Sequence, residues 1–147
     1  MSKQETHNQT DYEDTEAGRD IGVEKSKHGL YEELKERKGS PLYDVSLRDI
    51  FLFSVGFGRE HADREPLTGD THWMVGRTRL TDEQEWIIKS VAIEEAGTAE
   101  ILRDERQIYQ IAQEYANGGI EELHRRAFDP NIDPFSDLTT EVVQKHQ

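Results

Sequence analysis

Six residues in one stretch, Arg59, Arg64, His72, Trp73, Arg77 and Arg79, carry side chains suited to holding an anion. Guanidinium groups bind phosphate or carboxylate through paired N–H donors, and an indole offers a face to a base or sugar. Residues 71–80 contain no carboxylate, although the chain has 31 acidic residues against 18 basic ones and a net charge of −13. If that segment is extended, Trp73, Arg77 and Arg79 are separated by even numbers of residues and share one side. Such a strip would grip a sugar–phosphate backbone or an acidic patch on a protein. The alternative is that Trp73 enters the core and the arginines pair with the abundant carboxylates. Arg125 and Arg126 form a second basic spot.

Other short motifs carry less chemistry. Gly56-Phe57-Gly58 has two glycines of a phosphate loop but neither a third glycine nor a preceding strand, so it reads as a loosened helix end. Asp129-Pro130-Asn131-Ile132-Asp133 matches the first half of a calcium loop, but Pro134 replaces its glycine and Thr140 its closing glutamate. His61, His72 and His124 include no pair four residues apart that would fix two metal ligands on one helix face. Glu94-Glu95 and Glu121-Glu122 are adjacent and point to different parts of a helix surface. No serine sits in a nucleophile-elbow context. The absence of cysteine excludes a disulfide framework and thiolate chemistry. No catalytic residue, metal or cofactor is assigned.

The elements that must position these residues are helices. Ser46 and Asp49 suit a capping pair before a stripe of Leu47, Ile50, Phe51, Ser54 and Val55. Leu52, Phe53 and Phe57 fill its other faces. Thr81 with Gln84 opens a helix presenting Ile87, Ile88, Val91 and Ala92 and ending at Gly97. Asp104 with Gln107 opens another, with Ile108, Ile111, Ala112 and Tyr115 inward. Trp73 to Val75 touches the core or pairs briefly as a strand. The run Tyr115-Ala116-Asn117-Gly118-Gly119 reads as a helix end, because Asn and Gly suit the left-handed conformation that closes helices; a new helix then carries Ile120, Leu123 and Ala127. Leu30, Tyr31 and Leu34 mark a short, partly exposed helix that Ser40-Pro41 breaks. The fold class is mainly α. It comprises residues 1–40 as an acidic tail with one short helix, unstructured to about residue 27, a compact helical domain at 41–128, and a C-terminal arm at 129–147.

Only 33% of the 147 residues are apolar, and arginine outnumbers lysine 11 to 7. An acidic, lysine-poor, cysteine-free chain is what a high-salt cytoplasm selects, since carboxylates retain water where salt screens repulsion. A halophilic source is the leading explanation of the acidity; DNA mimicry and plain acidic solubility are the rivals. No apolar run is long enough to cross a bilayer, and no hydrophobic signal segment opens the sequence. The cytoplasm is the default location.

Four segments in order carry a family resemblance: Asp49–Phe57 (DIFLFSVGF), Arg64-Glu65-Pro66-Leu67, Ile93-Glu94-Glu95-Ala96-Gly97, and Ile111–Ile120 (IAQEYANGGI). Over about residues 47–124 the chain resembles a small family associated with Dnd-type DNA phosphorothioation systems. The Tyr-Ala-Asn-Gly-Gly-Ile run is its most specific part. Those systems replace a non-bridging phosphate oxygen of DNA with sulfur, and linked genes use the mark to discriminate against foreign DNA. The resemblance implies a context and supplies no catalytic residues. It departs where His61-Ala62-Asp63-Arg64-Glu65 replaces a basic turn before Pro66, which weakens phosphate binding by that turn. The implied function is a non-enzymatic accessory component, an adaptor for a larger protein of the system, for DNA, or for both. The alternatives are a DNA-binding module using the 59–79 connection and, last, a nuclease subunit. The implied partners are other proteins of the system and DNA; a homo-oligomer is compatible with the sequence, and no membrane is involved.

Overall fold

The computed structural model describes residues 20–131. Strand β1 (Asp20–Glu24) leads through a 3-10 turn into α1 (His28–Glu36). Then follow α2 (Leu47–His61), β2 (Thr71–Gly76), α3 (Asp82–Ala96) and the long α4 (Glu105–Ala127). The architecture is mainly α, with one small antiparallel sheet of two strands. Residues 1–19, nearly half of the expected tail, and 132–147, most of the expected arm, lie outside the described region.

The helix starts follow local chemistry. The Ser46 hydroxyl accepts from the Asp49 N–H at 3.1 Å, Thr81 and Gln84 form a reciprocal capping box, and Asp104 accepts from the Gln107 N–H. Gly97 closes α3 with φ +76°, a conformation that favours glycine.

One apolar cluster joins all these elements. Ile50, Phe51 and Val55 of α2 and Ile108, Ala116, Ile120 and Leu123 of α4 form its centre. Ile88 and Ala92 of α3, Tyr31 and Leu34 of α1, and Ile21, Val23 and Val75 of the sheet close it. α3 departs from its expected stripe. Ile88 and Ala92 are buried, Val91 is half-buried, and Ile87 points outward. Leu52 and Phe53 of α2 are half-buried, so that helix is covered less completely than its apolar content suggests.

Two expectations are corrected. The first concerns the boundary. Asp20–Glu24 is paired with β2, Ile21 is fully buried, and α1 packs Tyr31 and Leu34 into the core. The fold therefore reaches back from residue 41 to Asp20. Ile21 and Val23 are few, but their burial completes a face that α2 and α4 leave open. Limited proteolysis should accordingly yield a resistant fragment whose mass places its start at or before Asp20. A stable fragment starting between Gly29 and Tyr43 would show that β1 is dispensable.

The second correction concerns the two-glycine run. α4 is unbroken from Glu105 to Ala127 and passes straight through Asn117-Gly118-Gly119. Gly56 and Gly58 likewise lie within α2, which continues to His61. Gly58, Gly118 and Gly119 serve contact between segments, whereas Gly56 is exposed and faces open space. A Cβ on Gly119 would sit 2.6 Å from the Gly58 Cα, and one on Gly118 would overlap the carbonyl oxygen of Asp63.

Candidate binding surface

The six candidate residues do not form one strip. β2 ends at Gly76, and Arg77–Arg79 turn as a 3-10 segment, so the alternation that would align Trp73, Arg77 and Arg79 stops before the arginines. Trp73 belongs to the strand and lies across Gly22, leaving 37% of its surface exposed. The His72 ring lies against His28 of α1, tilted by 36°, with centroids 3.9 Å apart. Burial, and then the neighbouring His28, hold the His72 imidazole below its usual pKa.

Three of the arginines are engaged by carboxylates. At the end of α2, Arg59 donates from Nε to Glu94 at 3.1 Å and from a terminal nitrogen to the Tyr115 hydroxyl at 2.9 Å. Arg64 donates to Glu114 at 2.9 Å and to Glu95 at 2.8 Å. Tyr115 donates its own hydroxyl to Glu95. That bond, opposed by partial burial and aided by Arg64 and Arg59, holds the Glu95 carboxyl below the usual carboxylate range. The cluster ties α2, the following loop, α3 and α4 together. Arg77 lies 2.9 Å from Glu105 and 4.0 Å above the Tyr109 ring. Arg125 and Arg126, the second basic spot, both reach Glu122, whose carboxyl is held down at about 2 by these guanidinium groups.

The Tyr-Ala-Asn-Gly-Gly run organises a second network. The Asn117 side chain donates to Glu24 at 3.0 Å and to the carbonyls of Glu65 and Pro66 at 3.1 and 3.2 Å. Glu24 also accepts from the Thr68 N–H at 2.9 Å. Lys27 donates to the Asn117 carbonyl at 3.1 Å. Asn117 and the glycines are thus the seat on which the segment 62–70 and the end of β1 are fastened. Glu24 and Lys27 fell inside the expected tail; their partners lie about ninety residues away, and no local pattern marks them.

Two open regions stand out among the described residues. The outer face of α3 presents Trp86, 53% exposed, beside Ile87, 49% exposed. Exposed Glu83, Ser90 and Glu94 surround them, and the Lys89 ammonium sits 4.9 Å from the Trp86 ring. The other region is an open groove of about 420 Å³ lined by Ser46, Leu47, Arg48, Met74, Val75, Gly76 and Arg79. Arg79 is the one candidate arginine whose guanidinium has no hydrogen bond or ion pair among the described residues. Arg48, its neighbour in the groove, was not singled out by spacing; it stands alone in the sequence and meets Arg79 only through the fold.

Among the described residues no group of three His, Asp or Glu side chains is placed to hold a metal ion, and no helix is long and apolar enough to cross a membrane. The calcium-like half-loop extends beyond Asn131, outside the described region.

No curated protein and no solved structure matches the chain. A family model does match, described as DNA sulphur modification system-associated protein 4, over residues 20–147. Its first matched residue is the first residue of β1, and the match spans every described element. The chain therefore belongs to the family of DNA sulphur modification system-associated protein 4.

Proposed function

We propose that this protein is a non-catalytic accessory component of a DNA sulphur modification system, and that it works as an adaptor for a larger protein of that system. The observation that carries the adaptor reading is the outer face of α3. Trp86 and Ile87 are adjacent, large, apolar and about half exposed, on a helix already anchored through Ile88 and Ala92. An aromatic residue fixed on a rigid helix is the usual energetic centre of a protein interface. The exposed Glu83 beside Trp86 disfavours a polyanion there, and it disfavours a second copy that would bring like charges together. The complementary partner is a protein with an apolar pocket and a basic rim.

Direct gripping of a duplex by the whole 59–79 connection is the weaker reading, because Arg59, Arg64 and Arg77 are already paired. An apolar contact also suits the high-salt cytoplasm inferred from composition, where charge steering is screened within a few ångströms. A defence role, in which the sulfur mark separates self from foreign DNA, is the setting we assign to the complex.

The test is to mix the purified protein with each larger protein encoded beside it and measure affinity at low and at molar salt. Binding to one of them should survive high salt and weaken at least about 30-fold, equivalent to about 2 kcal/mol, in the double variant Trp86→Ala with Ile87→Ala. Unchanged binding in that variant would reject the α3 face. Binding to none of those proteins would reject the adaptor reading itself.

A further inference from the structure

We infer that the groove between the start of α2 and the end of β2 is a binding site for a phosphate group carried on a nucleotide unit. The site uses different residues from the α3 face and does not depend on the adaptor reading.

Two arginines, Arg48 and Arg79, line that groove. Arg48 donates one N–H to the carbonyl oxygen of Arg79 at 2.9 Å, which fixes the two residues to each other. Its Nε is buried and has no hydrogen-bond acceptor, and the nearest carboxylate oxygen, on Asp49, is 3.7 Å away. That carboxylate is already engaged, accepting from Gln84 at 2.9 Å. Arg79 is exposed, with its guanidinium unpartnered among the described residues. The chain carries 31 carboxylates, yet Arg48 meets only Asp49, at 3.7 Å, and Arg79 meets none among the described residues, whereas Arg59, Arg64, Arg77, Arg125 and Arg126 are each paired within about 3.1 Å.

The floor of the groove says what accompanies the anion. Leu47 and Met74 are half-buried and Val75 is buried, so the base of the site is apolar. Gly76 has no side chain to narrow it. A volume of about 420 Å³ falls within the range of about 300–1,000 Å³ typical of small-molecule pockets. Bare phosphate would fill only a corner and leave the apolar floor wet. A sugar and base joined to the phosphate would cover Leu47 and Met74 while the phosphate oxygens meet Arg48 and Arg79. Asp20, whose carboxylate lies near Gly76, sits at the edge and disfavours a ligand bearing a second anionic group on that side. A free nucleoside monophosphate and one nucleotide of a single strand share this chemistry.

The experiment uses the full chain and follows backbone amide signals of residues 46–48 and 74–79 by NMR. The probes are inorganic phosphate, thymidine, thymidine 5′-monophosphate, a short oligothymidylate and a poly-glutamate peptide. The monophosphate should shift those signals saturably, with thymidine inactive and inorganic phosphate at least tenfold weaker. Arg79→Ala should weaken the monophosphate at least tenfold and leave the melting temperature unchanged, because Arg79 is exposed. Arg79→Lys should restore part of the affinity. If oligothymidylate binds more tightly per site than the monophosphate, the source is a nucleic-acid strand; if it binds equally or less tightly, the source is a free nucleotide. The inference is overturned by silence at the groove with every phosphate probe, by unchanged affinity in Arg79→Ala, or by poly-glutamate binding as tightly as the monophosphate.

Discussion

Gly119→Val should reduce the stability of this protein by about 3 kcal/mol or more, the upper range for forcing volume into a packed interior. The cause is the crossing of α2 and α4. A Cβ at Gly119 would lie 2.6 Å from the Gly58 Cα, 2.7 Å from its nitrogen and 2.9 Å from the Ser54 carbonyl oxygen. All three are backbone atoms of one helix, so no side-chain rotation relieves the overlap. A Cβ on Gly58 would overlap the Tyr115 carbonyl in turn. Each glycine within a helix costs about 1 kcal/mol relative to alanine, and here the close approach of the helices offsets that cost. Gly56 supplies the control. It lies on α2 only two residues before Gly58, is exposed, and a Cβ added to it would meet nothing within 4 Å. Gly56→Ala should therefore stabilise the protein by about 0.5–1 kcal/mol. Urea unfolding of the two variants checks both signs. A Gly119→Val midpoint equal to wild type would mean that the helices do not cross in contact here.

The contrast between these glycines shows where the sequence was legible. Ser46, Thr81 with Gln84, Asp104 and Gly97 announce helix ends because a cap is built from residues within four positions of each other. The apolar spacing of α2 and α4 marks their inward faces for the same local reason. Asn117-Gly118-Gly119 carries the same local signal for a helix end, and it misleads. Its composition is set by Gly58, Asp63 and Glu24, which are between about fifty and ninety residues distant. Tertiary contact overrides propensity at that point.

The same distinction governs the charged residues. An arginine's type is visible in the sequence, but its partner is not. Arg59 meets Glu94 across 35 residues and Arg64 meets Glu114 across 50. Spacing could show that cations cluster in the connection before α3, without showing which of them the fold would neutralise. Arg48 is the converse case. It lies outside that cluster and becomes a neighbour of Arg79 only when α2 packs beside β2. β1 was missed because five residues with two large apolar side chains give little periodicity, and its pairing partner begins some fifty residues later. The exposure of Ile87 beside Trp86 was equally unreadable. Apolar residues at positions 86, 87, 88, 91, 92 and 93 surround most of α3, so its sequence does not choose an inner face.

Asn117→Leu should destabilise the protein by about 1–3 kcal/mol, the range for leaving buried polar groups without partners. The variant keeps a side chain of similar size but removes the amide that serves Glu24 and the carbonyls of Glu65 and Pro66. Its pH dependence distinguishes this network from a simple packing defect. Burial pushes the Glu24 carboxyl up, but the Thr68 N–H, the Asn117 amide and the Lys27 charge outweigh it, and the net position is below the usual value. A carboxyl lowered in the folded state binds fewer protons than in the unfolded chain. Its contribution is therefore complete above the ordinary carboxylate range and is lost as pH falls through the folded value. Other lowered carboxyls, including Glu95 and Glu122, titrate in both proteins and cancel in the comparison. The stability gap between wild type and Asn117→Leu should be widest at pH 7 and narrow steadily toward pH 3, as measured by urea unfolding across that interval. Glu24→Gln retains an oxygen that accepts from Thr68 and Asn117, so it should cost less than Asn117→Leu and show a flatter pH profile than wild type. A gap that stays constant from pH 7 to pH 3 would place the effect of Asn117 in packing alone and remove Glu24 from the account.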